Sequence, residues 1–288
     1  MKKILVLGIK GMAGHVIFKS LPLLGDYEVY GIARNVTASS NIFNLDVANI
    51  EELSKIIDLK FDVIINCIGI LNKDAEDNPH KAIWFNSYFP HFLEAITKNT
   101  LTKVISISTD CVFSGKKGGY IENDFKDGEG FYAQSKALGE ILNNKDLTIR
   151  TSIIGPELNE DGIGLFHWFM QQKGTINGFT NAIWAGVTTL ELAKAISWAI
   201  ENNISGLYHI TNNKSINKND LLNLFKKYTN KNLLIIATEG KKVNKSFIDT
   251  RQEINFRIPD YDSMVKEMIE LIKNNGKLYS HYKLNNGY

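Results

Sequence analysis

Ile4-Leu5-Val6-Leu7-Gly8-Ile9-Lys10-Gly11-Met12-Ala13-Gly14 places a short apolar run directly before three glycines spaced G-x-x-G-x-x-G. An apolar run of that length ending at glycine suits a parallel strand buried on both faces. A helix is expected to follow, from about Gly11 to Leu24. Glycines at such a turn let the chain bend tightly, so that backbone N–H groups can approach a pyrophosphate at the positive helix end. Gly8, Gly11, Met12 and Gly14 are therefore candidate dinucleotide contacts; a plain strand-to-helix turn is the alternative reading.

The alternation continues outward from this turn. Strands are expected at Val29–Ile32, Asp62–Cys67, Lys103–Ser108 and Leu147–Arg150. Helices are expected near Ile50–Ile57, Pro79–Lys98 and Phe131–Asn143. Strands and helices at this spacing predict an α/β fold, a Rossmann-type doubly wound parallel sheet. Beyond Gly155 the pattern loosens. Helices are read at Gly162–Gln172, Thr188–Asn202, Asn217–Tyr228 and Tyr261–Lys273, and a strand at Gly206–Thr211. The expected division is a nucleotide-binding domain of residues 1–155 plus about 186–215. A smaller C-terminal α/β substrate domain would take about 156–185 plus 216–288.

Bulk properties narrow the class. The 288 residues are 44% hydrophobic and 22% charged, ordinary for a globular protein. A net charge of +2 argues against a dedicated nucleic-acid binder. No apolar run approaches the roughly 20 residues needed to span a bilayer, and no export signal is read at Met1-Lys2-Lys3. Two cysteines, Cys67 and Cys111, imply no disulfide framework, so a reduced, cytoplasmic setting is expected. The tail after Lys273 is expected to fray.

An NAD site usually carries an acid at the end of the second strand; here Ala33-Arg34 stands there. Arg34 can pair with a 2′-phosphate, which favours NADPH, or be a solvated loop cation. Asp46-Val47 suits the adenine edge, although a lone Asp is more often a helix cap. Further on, Tyr132 and Lys136 stand at i and i+4 and share a helical face. An ammonium beside a phenol favours its ionised form, making the phenol a usable proton donor and acceptor near neutral pH.

These segments together resemble the extended short-chain dehydrogenase/reductases, in the dTDP-4-dehydrorhamnose reductase branch. The likeness is carried by the Gly8/Gly11/Gly14 turn, Asp62-Val63-Ile64-Ile65-Asn66, Asn86 and Ser108-Thr109-Asp110-Cys111-Val112-Phe113-Ser114-Gly115. It continues through Tyr120–Asp124, Tyr132-Ala133-Gln134-Ser135-Lys136, Gly139-Glu140 and Ile149–Ser152, and weakens after Thr211. The resemblance implies that Thr109 holds a substrate carbonyl, Tyr132 donates the proton and Lys136 binds the nicotinamide ribose. It places Cys67 and Gly69 on the cofactor side and Asn86 and Asp110 on the substrate side. It further implies a nucleotide-linked 4-keto-6-deoxyhexose as substrate and a homodimer built on the helices near 79–98 and 131–143.

In the second half, Trp184 can pack on a base or sugar, and Lys245 and Arg251 can neutralise a diphosphate. Core packing and loop decoration are the bland alternatives. Cys111 departs from the reductase pattern, which usually has Tyr there, and resembles GDP-fucose and UDP-rhamnose synthases. Those enzymes epimerise beside the ketone before reducing it. A thiol lowered by neighbouring cations suits proton exchange, and His167, with Lys173 as fallback, is the expected second acid. A small strand-end hydrophobe and a packed histidine are the alternatives.

The leading expectation is an NADPH-dependent reductase of a UDP-2-acetamido or dTDP 4-keto-6-deoxy sugar, with C3 epimerisation through Cys111 as a second activity. Its alternatives are an epimerase or dehydratase of the same superfamily, or a non-catalytic NADP-binding subunit. No metal is expected.

Overall fold

The computed structural model describes residues 1–251 and 255–284. The first half lays down β1 (Lys2–Leu7), α1 (Met12–Leu24), β2 (Tyr27–Ala33), β3 (Ile42–Asn44), α2 (Ile50–Ile57) and β4 (Val63–Asn66). Three helical pieces follow, α3 (Asn72–Asp77), α4 (Pro79–Ala82) and α5 (Phe89–Thr97), with a π-helical turn at Ile83–Tyr88 joining the last two. Then come β5 (Lys103–Thr109), a 3₁₀ turn (Asp110–Val112), α6 (Gly130–Leu138) and β6 (Leu147–Thr151).

The second half contributes β7 (Ile153–Ile154), α7 (Leu165–Gln171), β8 (Gly174–Phe179), β9 (Ala182–Trp184), β10 (Val187–Thr188), α8 (Thr189–Glu201) and β11 (Gly206–His209). It closes with β12 (Ile216–Asn217), α9 (Lys218–Thr229), β13 (Leu233–Thr238), β14 (Val243–Asn244) and α10 (Tyr261–Asn274).

Among the described residues, seven parallel strands form the main sheet in the order β11-β6-β5-β4-β1-β2-β3. The order reverses between β1 and β4, the switch point at which open α/β sheets bind ligands beyond their carboxyl ends. β1 explains why its sequence is uniformly apolar. Ile4 and Val6 enter the core shared with α1, α8 and α10, while Leu5 and Leu7 enter the opposite core with Leu53, Phe89 and Leu93. A strand covered on both faces has no side to leave polar.

Three smaller sheets, β10-β7, β12-β9-β14 and β13-β8, are built from the second half, while β11 returns to the main sheet. These short pairs join segments distant in the chain, and β8, β9, β13 and β14 were not read from the sequence. The expected helix over 79–98 is divided by the π-helical turn, and α3 precedes it. The helix bearing Tyr132 ends at Leu138, not Asn143. A Cβ on Gly139 would lie 1.8 Å from the Asn86 carbonyl oxygen, so the chain there passes directly against the π-helical turn.

The chain after α10 does not fray as far as Leu284. Tyr279 and Tyr282 are buried, and their hydroxyls meet His15 Nε2 and His167 Nδ1, each at 2.9 Å. Residues 285–288 of that expected tail lie outside the described residues. Among the described residues no helix is long and apolar enough to cross a membrane.

Candidate active site

The glycine turn forms the floor of the site. Gly8 has φ of 86°, and a Cβ on Gly14 would stand 2.2 Å from the Gly8 carbonyl oxygen. Only glycine at both positions lets α1 begin this close to β1. Above the turn, a cavity of about 580 Å³ runs from Gly11 and Met12 past Cys67 and Gly69 to Thr109, Asp110, Cys111, Tyr132 and Lys136. It ends at Trp184, Lys218 and Lys245. Residues read separately along the chain are thus brought into one enclosure.

Thr109 closes β5. Its Oγ1 accepts from Cys111 N–H at 3.1 Å and donates to Asp110 Oδ1 at 3.1 Å, capping the 3₁₀ turn that swings Cys111 into the cavity. Tyr132 stands in the first turn of α6, whose leading N–H groups are satisfied from another helix. Glu76 of α3 accepts from Phe131 N–H at 3.0 Å and from Tyr132 N–H at 3.1 Å. One helical turn on, Lys136 donates to the Ile107 carbonyl at 2.6 Å. Burial lowers this amine to about 8.

Two electrostatic expectations are corrected. Burial pushes the Tyr132 phenol up, with Cys111 and Asp110 adding to the rise and the Thr109 hydroxyl opposing it. Lys136 acts electrostatically on Cys67, whose thiol burial drives to about 12. In the protein chain alone, therefore, the shared helical face does not make the phenol acidic. Cys111 is likewise raised, by burial and by Asp110, with Lys245 opposing. Asp110 is itself buried and raised, with Lys245 and the Thr109 hydroxyl, which donates to it, opposing the rise.

Trp184 is 7% exposed, and its Nε1–H donates to Ser152 Oγ at 2.8 Å. Ser152, like Trp184 and Asp110, lines the cavity. Lys218 and Glu76 were not singled out from the sequence, and Ser152 was read only as the end of the Ile149–Ser152 segment, with no role of its own. A serine, a lysine opening a helix and a surface-helix glutamate carry no local signal that separates them from their many counterparts.

Several expected site residues lie elsewhere. His167 is buried with Nδ1 on Tyr282 Oη and Nε2 on the Glu160 carbonyl, both at 2.9 Å. Leu165 lines the cavity, and a residue two positions further on a helix faces nearly the opposite way. Lys173 is exposed beyond α7 and lines no part of the cavity. Arg251 stacks 4.0 Å over Tyr208 and donates to the Leu207 carbonyl at 2.9 Å, lining a separate cavity.

Asn86 spends its amide on the Ile70 N–H (2.8 Å), the Ile70 carbonyl (2.9 Å) and Ser135 Oγ (3.0 Å). It therefore braces the cavity wall against α6 rather than facing a substrate. Val47 is 4% exposed and belongs to the core. Arg34 and Asp46 pair with each other at 3.3 Å on the surface beyond β2. Asn49, not Asp46, caps α2. Among the described residues no cluster of His, Cys, Asp or Glu is arranged to hold a metal.

The RmlD substrate binding domain profile matches residues 1–272. This chain belongs to that family. The assignment agrees with the branch read from the Ser108–Gly115 and Tyr132–Lys136 segments. A curated relative, the probable low-salt glycan biosynthesis reductase Agl14 of Haloferax volcanii, is 24% identical over 232 residues, covering 75% of this chain and 76% of the relative.

Among solved structures, dTDP-4-dehydrorhamnose reductase from Bacillus anthracis in complex with NADP superposes with a TM-score of 0.80 at 20% identity. It covers 94% of this chain and 99% of its own. The Clostridium acetobutylicum dTDP-4-dehydrorhamnose reductase gives 0.77 at 23% identity, with 94% and 99% covered. The epimerase Mth375 of Methanothermobacter thermautotrophicus gives 0.79 at 15% identity, with 97% and 94% covered. At these identities the superpositions establish the family's α/β fold.

Proposed function

We propose that the protein is an NADPH-dependent reductase acting on the C4 ketone of a nucleotide-linked 4-keto-6-deoxyhexose, with C3 epimerisation through Cys111 as a second activity. The observation that carries this reading is the convergence of Thr109, Tyr132 and Lys136 in one cavity, between the glycine turn and the Trp184–Lys218–Lys245 end. The reductase names of the curated and structural relatives support it. NADPH is favoured by the cofactor in the Bacillus anthracis structure and by Arg34, which a 2′-phosphate could share with Asp46.

Gly11, Met12, Cys67, Gly69 and Lys136 would hold the cofactor, and the cradle fits: a Cβ on Gly69 would crowd Asn86 Oδ1 at 3.2 Å and narrow the space before Lys136. When bound, the nicotinamide supplies the hydride. The Thr109 hydroxyl orients the substrate carbonyl, and the Tyr132 phenol, raised by burial, retains the proton it gives to the C4 oxygen as the alcohol forms. Lys136, with its amine near 8, is largely an ammonium at neutral pH and is the cation in the same cavity that offsets the phenolate left when the proton has gone.

For the second activity, the Cys111 thiolate takes the C3 proton. The C–H electron pair passes to the C4 oxygen, which the Thr109 and Tyr132 hydroxyls hold; it then returns to C3 to bond a proton from water on the opposite face, and the hydroxide so formed takes the proton from the Cys111 thiol, restoring the thiolate. His167 has no part in this. Lys218 is the cation placed to meet a diphosphate, the expected Lys245 being taken up beside Cys111 and Asp110, and a UDP-2-acetamido or dTDP sugar is the proposed substrate. A cytoplasmic homodimer with the domain division given above completes the reading.

The test is NADPH absorbance with UDP- and dTDP-linked 4-keto-6-deoxy sugars. No oxidation with either refutes the reductase. In deuterated water, a product unlabelled at C3 refutes the epimerisation alone.

A further inference from the structure

The reactive corner is covered by two loops from distant parts of the chain. Asn244 N–H donates to the Gly115 carbonyl at 2.8 Å, Tyr120 N–H to the Ser246 carbonyl at 2.9 Å, and Ile248 N–H to the Tyr120 carbonyl at 2.8 Å. Gly119 N–H adds a bond to Ser246 Oγ at 2.9 Å. Residues 115–120 and 243–248 therefore form a clamp. A Cβ on Gly115 would lie 2.7 Å from Val243 Cγ2 and 2.9 Å from Lys245 Cγ, and one on Gly118 would lie 2.3 Å from Asn244 Nδ2. Their φ angles of 83° and 74° make both positions glycine-specific on backbone grounds as well.

The clamp fixes the stem of Lys245 against Gly115 and sets its ammonium in the same cavity wall as the Cys111 thiol and Asp110, on both of which its charge acts. Cys111, Tyr132 and Lys245 also line a second cavity of about 960 Å³, so the corner opens on two sides. We propose that Lys245 is a positioning residue for Cys111: it holds the thiol in the corner shared with Tyr132 and is the cation against which the thiolate forms.

The groups facing the thiol come from each neighbouring element. Thr109 and Asp110 belong to its own turn, Tyr132 to α6, and Lys245 to the clamp. Across the second cavity, Glu76 is held by α6 N–H groups and Glu129 by Lys116, while Lys241 and Lys242 stand on the clamp side. Burial and Asp110 push the thiol up, and Lys245 opposes both. Removing the ammonium should therefore raise the thiol further.

The role rests on Cys111 acting as a base in the proposed epimerisation, but thiol reactivity tests it without any sugar substrate. Iodoacetamide alkylation followed across neutral to alkaline pH, with peptide mass mapping, separates Cys111 from Cys67, the other cysteine. Lys245→Met should move the Cys111 inflection up by roughly one pH unit and slow alkylation near neutrality about tenfold, as expected for losing a nearby cation. Lys245→Arg should restore most of the difference. Lys245→Gln, which keeps a donor without charge, should follow the methionine variant.

An unchanged inflection in Lys245→Met and Lys245→Gln overturns the proposal, and so does an arginine variant that titrates with them. Unaltered NADPH binding in the variants shows that the fold is kept. Native protein that reduces its substrate without C3 exchange would refute the epimerisation, while the alkylation profile would still decide the Lys245–Cys111 link.

Discussion

Lys136 should be a residue that the protein keeps at a cost in stability. Its side chain is buried, and burial lowers its amine from 10.5 to about 8. Between those values the unfolded chain binds the proton and the folded chain does not, so stability rises with pH through that window. At neutral pH both states are protonated and the whole penalty is present. At roughly 1.4 kcal/mol per pH unit, it comes to about 3 kcal/mol. The hydrogen bond to the Ile107 carbonyl offsets about 1 kcal/mol of this.

Lys136→Met should therefore unfold about 2 kcal/mol later than the parent in urea near neutral pH, with a melting temperature higher by roughly 5 °C. The same variant should lose at least about 100-fold in kcat/KM for the proposed reduction, because the cation that would hold the cofactor and offset the phenolate is gone. The assay is paired urea melts, without cofactor, at neutral pH and above the ordinary lysine range. There the advantage should vanish, since neither state of the parent is then charged. A methionine variant less stable than the parent at neutral pH, or equally advantaged at both, would show that burial of this charge is not the governing cost.

Two further outcomes follow from close packing around the site. Gly14→Ala puts a Cβ 2.2 Å from the Gly8 oxygen, so α1 must move off the turn; a loss of about 2 kcal/mol in urea and at least a tenfold weaker NADPH titration are expected. Arg150 is 1% exposed and binds Glu140 through Nε (2.9 Å) and Nη2 (2.7 Å) and His209 through Nη1 (2.9 Å). Arg150→Met should cost about 3 kcal/mol by stranding Glu140 with Ser108 and Lys126. Arg150→Met combined with Glu140→Leu should regain most of that loss in urea melts, and a double variant no better than the single one contradicts the account.

Much of the framework is legible in the amino-acid sequence. β1 reads as a two-sided buried strand because its apolar residues are consecutive, and the Gly8–Gly14 turn reads as a helix start because it interrupts that run. Tyr132 and Lys136 could be placed on one helical face by spacing alone. The same spacing misjudged their electrostatics. It carries geometry along one helix but no information about burial, which raises the phenol and lowers the amine more than either affects the other. His167 failed for a related reason. Its neighbours Leu165, Phe166, Trp168 and Phe169 show that α7 is packed, not which of its faces meets the cavity.

What the sequence by itself determined is therefore the parallel sheet, its glycine turn and the order of the Thr109, Tyr132 and Lys136 groups, all of which rest on local periodicity. Tertiary structure alone decided that Glu76 caps the Tyr132 helix, that Asn86 is a brace and that Arg251 lies outside the cavity. It also decided that Lys245 and Cys111 line the same cavities. Each of these contacts joins segments far apart in the chain, and their partners are selected by packing around a common core, for which no repeat in the sequence exists to be read.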